Sequence, residues 1–279
     1  MLPADKLYYK KYPLKGLLEK YVKYAWVMKS QEEQSGQDLL IPDGYPEIIF
    51  VRKGKYQKAF LDPKKKPQII RQSCIVGIQD QTVLASRMDQ CDLVGLKLNP
   101  IGAYALFGSQ LKNISSCNSH IEDFGMDWLS QLNQHMQHCT EEISMINLLT
   151  DQLSVRLKEA DKNNKITLAA AYLKMILSVD GTITVKELAD KHFLSLRQYQ
   201  RNFKTFFGIS PKIFLNIIRF KQLYKSSILE QKLPKNFLEY GYYDQMHFIK
   251  DFQKRMGINP SKSSEIAFIL KNEIARTSR

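Results

Sequence analysis

Near its C-terminus the chain repeats itself at a fixed interval of 49 residues. Phe203, Gly208, Ile209 and Pro211 return as Phe252, Gly257, Ile258 and Pro260, while Tyr199 and Arg201 return as Phe248 and Lys250. Aromatic, basic, glycine and proline positions recurring in one order mark a single supersecondary unit used twice. The kind of unit follows from the residues around it.

In the first copy Thr184 and Glu187 are spaced as a capping box that opens a short helix through Lys191. His192, Phe193 and Leu194 form a tight turn. Ser195 and Gln198 make a second capping box, and the helix they open runs to about Phe207, where Gly208 supplies the left-handed residue that ends it. Two short helices about a three-residue turn make a helix-turn-helix. On the second helix Leu196, Tyr199, Phe203 and Phe206 follow the spacing of a buried stripe. Arg197, Gln200, Arg201 and Lys204 take the opposite side, with Gln198 beside them. Arg matches the two acceptors of guanine, and Gln the acceptor and donor of adenine, in the major groove.

The second copy is less regular. Gly241 sits in its turn, Asp244 is placed as an N-cap, and a helix bearing Gln245, Met246, His247, Lys250 and Lys254 runs to Met256 before Gly257 closes it. Between the copies Ser210 and Pro211 start a helix with Ile213, Ile217, Phe220 and Tyr224 on one stripe. About 20 residues give roughly 30 Å, near the ~34 Å of one DNA turn. Two such readers could enter successive major grooves.

Charge agrees. From Lys165 onward there are 20 Lys and Arg against 9 Asp and Glu, so this part holds +11 of the total +13. A basic domain beside a near-neutral one points to a polyanion partner.

Residues 1 to about 120 read as short strands, at Tyr21–Met28, Glu47–Val51, Gln68–Ile78 and Asp92–Leu98, separated by turn signals such as Pro42-Asp43-Gly44 and Lys53-Gly54-Lys55. That spacing suggests a small barrel or sandwich. From about Asp123 to Glu159 the apolar residues Trp128, Leu132, Met136, Ile143, Ile146, Leu149, Leu153 and Leu157 fall at helical steps. These are helices covering the barrel, with a dimerisation surface as the other use. The polar run 161–165 marks a linker, dividing the chain into 1–160 and 165–279. The expected fold class is multidomain α+β: an N-terminal cupin-like β-barrel with flanking helices, then an all-α domain of two helix-turn-helix motifs joined by a long helix.

Other chemistries find little support. The four cysteines are far apart, without zinc or disulfide spacing. No histidine precedes His120, which argues against a His-ligated metal on the strands, and His135 and His138 lack an evident third ligand. No phosphate loop or nucleophile elbow occurs. The N-terminus has no signal-peptide core and no run reaches the ~20 apolar residues of a membrane span. A cytoplasmic protein that is not an enzyme, without cofactor, metal or membrane partner, is expected.

The segment from about Lys165 to Ser264 resembles the AraC family of bacterial transcription regulators. The likeness rests on Glu187-Leu188-Ala189, on Ser195 with Arg201-Asn202-Phe203-Lys204, on Gly208-Ile209-Ser210-Pro211, on 241–248, and on Phe252, Gly257 and Pro260. The resemblance implies tandem readers at promoters, with Arg197, Gln200 and Arg201 in the base-facing part of the first and Gln245, Met246 and Lys250 in that of the second. It departs at Phe237, where the family usually has a small residue, and Met246 is a poor polar reader. Both favour a second motif that holds mainly the backbone. Residues 42–50 and 95–103 are similar to the uncharacterised cupin-like domains that precede such modules, implying effector sensing or homodimerisation, with RNA polymerase as a further partner. Two alternatives stay open: a cupin-like enzyme or small-molecule carrier tethered by its basic domain, and a non-specific nucleoid or RNA-binding protein.

Overall fold

The computed structural model describes residues 7–30, 37–61, 65–114, 118–230, 232–234 and 236–262. The end of the expected second domain, 263–279, lies outside the described residues.

Among the described residues the N-terminal part holds ten strands: β1 (Leu7–Tyr12), β2 (Val22–Ser30), β3 (Gln37–Leu40), β4 (Glu47–Lys53), β5 (Tyr56–Phe60), β6 (Gln68–Ile70), β7 (Cys74–Val76), β8 (Val83–Arg87), β9 (Asp92–Leu98) and β10 (Asn118–His120). They form two antiparallel sheets, one ordered β1-β2-β9-β4-β7-β10 and the other β3-β8-β5-β6. The run 68–78, expected as one strand, divides at 71–73, and its two halves β6 and β7 join different sheets. Tyr21 belongs to a short helix, α1 (Leu17–Tyr21), rather than to β2.

Side chains alternate across the larger sheet. Trp26, Ile49, Val51 and Leu93 face the second sheet, where they meet Tyr56 and Ile70. Ala25, Val27, Ile48, Phe50, Val94 and Leu96 point the other way, into a layer of helices. Those helices are α2 (Pro100–Phe107), α3 (Asp127–His138), α4 (Glu142–Ala160) and α5 (Asn164–Leu177). The periodic residues Leu132, Met136, Ile146, Leu149, Leu153 and Leu157 are buried here, whereas Ile143 at the start of α4 is exposed. The expected linker shrinks to a three-residue turn between α4 and α5, with Asp161 bonded to Lys20 and Tyr21 and Asn163 capping α5.

The C-terminal part adds α6 (Val185–Lys191), α7 (Leu196–Phe207), α8 (Pro211–Glu230) and α9 (Gln245–Met256). The first half of α8, at Phe214, Leu215, Ile217 and Ile218, shares the core that runs back through the helix layer to the large sheet. Its second half, at Phe220, Leu223 and Tyr224, builds a separate core with Tyr242, Phe248, Phe252 and Met256. One helix therefore supports both copies of the repeat.

Candidate nucleic-acid interface

Both capping boxes form. Thr184 and Glu187 exchange side-chain and main-chain bonds at the start of α6, and Ser195 and Gln198 do so at the start of α7. Each pair satisfies donors that a helix start would otherwise leave orphaned. Tyr199, Phe203 and Phe206 are buried in the core as expected, joined by Phe207. Leu196 departs from the stripe at 45% exposure, because it stands in the first turn, beyond the reach of the core. Burial also pushes the His192 imidazole below its usual pKa, and the ring packs tilted against Tyr172, with centroids 4.3 Å apart.

The repeat survives in three dimensions. Ser195 and Asp244 are the N-caps, Tyr199 and Phe248 are buried, Phe203 and Phe252 are buried, and Gly208 and Gly257 close the helices with φ of 75° and 68°. The second copy differs in its first helix, which is reduced to a 3-10 turn at Phe237–Tyr240. Phe237 explains its own bulk: its ring stacks on Phe248 at 5.6 Å and 4°.

Arg197, Gln198, Gln200, Arg201 and Lys204 are all exposed along α7, and Gln245, Met246 and Lys250 are exposed on the first half of α9. Three of the expected contact residues have local partners. The Gln198 carboxamide oxygen accepts from the Ser195 main-chain N–H and hydroxyl. His247 is half-buried and accepts at Nδ1 from the Tyr243 N–H. Lys254 pairs through Nζ with the Asp80 carboxylate at 3.2 Å.

That last contact opens a feature the sequence did not reveal. The far ends of both repeated helices dock on the β-rich part at equivalent positions. On α7, Phe206 meets Tyr104 of α2 at 5.0 Å, edge to face. A Cβ on Gly208 would come within 2.8 Å of the Leu111 oxygen. On α9, the counterpart of Phe206 is Arg255, whose guanidinium donates to the Asp80 oxygen at 2.8 Å and to Asp251 at 3.0 Å. A Cβ on Gly257 would come within 2.6 Å of Leu61. The Thr82 N–H donates to the Arg255 oxygen at 2.9 Å and the Gln81 amide to the Lys254 oxygen at 3.4 Å. The β-rich part thus caps carbonyls that the last turn of α9 leaves unpaired. A third contact lies between them, where Gly44 lies against Phe214 and Ile218 of α8 and Lys221 donates to the Asp43 oxygen at 3.2 Å.

Two helix-turn-helix units on a common helix, with their first turns exposed and their last turns anchored to a β-rich body, make up a tandem helix-turn-helix module. Comparison with known proteins agrees. Residues 188–265 match a family model described as a helix-turn-helix domain, and residues 10–120 match a domain of unknown function, DUF6597. No curated protein matches the sequence. Similar solved structures include ToxT from Vibrio cholerae O395, with 10% identity over 95% of this chain and 98% of that one, at a TM-score of 0.41. Unsaturated fatty acid-bound ToxT from Vibrio cholerae strain SCE256 has 12% identity over 92% and 94%, at 0.38. The AraC-like transcriptional activator CuxR has 12% identity over 80% and 87%, at 0.29.

Proposed function

We propose that this chain is a sequence-specific promoter-binding regulator whose two readers occupy adjacent major grooves of double-stranded DNA. The observation that carries it is the repeated presentation of exposed polar side chains on the first halves of α7 and α9. In this scheme Arg197, Gln200 and Arg201 address base edges, and Lys204 holds a phosphate. Gln245, Met246 and Lys250 face the DNA at the corresponding positions of the second reader, which holds mainly the backbone. Gln198 and His247 position their helices, and Lys254 reaches DNA only by leaving Asp80.

The β-rich part acts as the regulatory body. Its contacts with both readers and with α8 give a small-molecule effector, or pairing with a second copy, a direct route to DNA affinity. The protein works in the cytoplasm, catalyses no reaction, and communicates with RNA polymerase at the promoter. Among the described residues no helix is long and apolar enough to cross a membrane.

A gel-shift series on upstream promoter fragments, run against random competitor DNA, tests the proposal. The expected result is one retained fragment, with affinity falling steeply as salt rises. Equal retention of every fragment would leave only the non-specific binder.

A further inference from the structure

Helix α6 ends in a Schellman motif: the Leu194 N–H donates to the Ala189 oxygen and the Phe193 N–H to the Asp190 oxygen, both at 3.0 Å. This motif places its C′ residue in the left-handed region, where glycine is favoured because it has no Cβ to clash. The helices α7 and α9 and the turn before Tyr242 obey that rule with Gly208, Gly257 and Gly241. At α6 the residue is Phe193, with φ of 54°. Asp180 is the other non-glycine residue with positive φ among the described residues, and aspartate tolerates that region. A phenylalanine there is strained.

Packing does not repay the strain, since Phe193 is 96% exposed. Its position shows what could. Phe193 stands two residues before Ser195, the N-cap of the first reader, and the exposed Leu196 and Arg197 follow directly after that cap. The second reader carries a similar pair displaced by one residue, since Tyr242, the counterpart of Phe193, is buried. Tyr243, 88% exposed, directly precedes the N-cap Asp244, and Met246, 56% exposed, lies in the first turn. An exposed aromatic before the cap and an exposed apolar side chain just after it therefore mark both entrances. The surrounding cations on α7 favour a polyanion over an apolar protein surface as the occupant. Within the major groove the apolar group is the thymine 5-methyl.

We propose that Phe193 with Leu196, and Tyr243 with Met246, are thymine-methyl contacts that set sequence preference at the two groove entrances. The proposal rests on the DNA-binding assignment and adds specific residues and a base to it. It also gives Met246 a use that polar base readout denies it.

The test uses the full chain and the duplex it protects in a footprint. Wild type, Phe193→Gly and Phe193→Asn are compared by thermal melting and by affinity for that duplex. Affinity is measured again with each thymine replaced by uracil, which lacks only the methyl. Both variants should melt at or above wild type and bind about ten-fold more weakly, with the salt dependence unchanged because no charge is lost. Uracil replacement at one position should weaken wild type by a similar factor and leave Phe193→Gly nearly unaffected. Wild-type affinity in Phe193→Gly, or an equal response of both proteins to uracil, would overturn the proposal. A melting temperature well below wild type would overturn it too, by showing that the phenyl serves packing. Failure of wild type to select any duplex would instead remove the DNA assignment beneath it.

Discussion

Arg255, in the last turn of the second reading helix, donates to the main-chain oxygen of Asp80 at 2.8 Å, and Phe206, 49 residues earlier, meets Tyr104 at the equivalent place on the first. One dock is polar and the other apolar. Arg255 is only 1% exposed, so its charge is held by Asp251 and Asp80 rather than by water. The apolar dock is part of a continuous core, while the polar one depends on a few oriented bonds.

Asp80→Asn should separate the two uses of that residue. The main-chain acceptor for Arg255 remains, and only the carboxylate facing Lys254 is lost. A half-exposed ion pair of this kind is worth about 1 kcal/mol or less, so stability should barely change. Freed Lys254 can reach a phosphate, so DNA affinity should rise about two- to five-fold. The slope of log affinity against log salt should steepen by about 0.9, one phosphate contact. In a Lys254→Gln background the same change should do nothing. Titrations at several salt concentrations check this, and an equal effect in both backgrounds would point to general electrostatics.

The proposed base readers and phosphate holder on α7 should respond differently. Arg201→Ala should cost about 1–3 kcal/mol on the preferred duplex and relax selectivity at one base pair. Lys204→Ala should weaken all duplexes alike and reduce the salt slope by about 1. Competition binding against single-substitution duplexes distinguishes these outcomes.

What the sequence made legible follows from where burial and capping act locally. Ser195 with Gln198, Thr184 with Glu187, and Gly208 are short-range signals, and all three form as spaced. Strands β4 and β9 stood out because the sheet they occupy is covered on both faces, giving continuous apolar runs such as Ile48–Val51. Strands β5 and β8 did not, because their sheet has one covered face and sequences such as Tyr56-Gln57-Lys58 mix types. The docks were illegible for another reason. Arg255 and Asp80 are 175 residues apart, and each looks like an ordinary surface charge until the chain brings them together. Lys254, expected as a DNA contact, pairs with Asp80 for the same reason. The one signal available was the mismatch within the repeat itself, where Phe206 is replaced by Arg255.

Gly208→Ala probes the apolar dock. The added Cβ would face both the left-handed backbone, with φ of 75°, and the Leu111 oxygen at 2.8 Å. The backbone conformation alone costs about 1–2 kcal/mol, and the carbonyl cannot move aside like a flexible side chain. Denaturant unfolding should show a loss of about 2 kcal/mol or more. A loss below that of an exposed helix substitution would mean that α7 is free of the β-rich part.

The contact at α8 should respond to pH. Lys221 and Lys23 approach the Tyr45 ring from 4.4 and 4.1 Å, while Lys97 already holds Asp43 at 2.6 Å and Glu47 at 3.1 Å. Burial, reinforced by Lys23, Lys97 and Lys225 and only partly opposed by Asp43, pushes the Lys221 pKa down to about 8. An unfolded lysine titrates near 10.4, so between those values the unfolded chain binds the extra proton. Stability attributable to Lys221 therefore rises with pH across that window, and the penalty is fully present below pH 8. Lys221→Met keeps the stem and removes the charge, losing one hydrogen bond. It should be more stable than wild type by about 1–2 kcal/mol at pH 7. That advantage should shrink steadily as pH rises from 8 to 10.5, because titrations common to both proteins cancel in the difference. Urea unfolding of the pair at pH 7, 8.5 and 10 measures it. A constant difference across the series would show that Lys221 keeps its charge in the folded protein. The tighter contact of Lys221→Met should also blunt any change in DNA affinity produced by an effector, because α8 is the helix that both readers share.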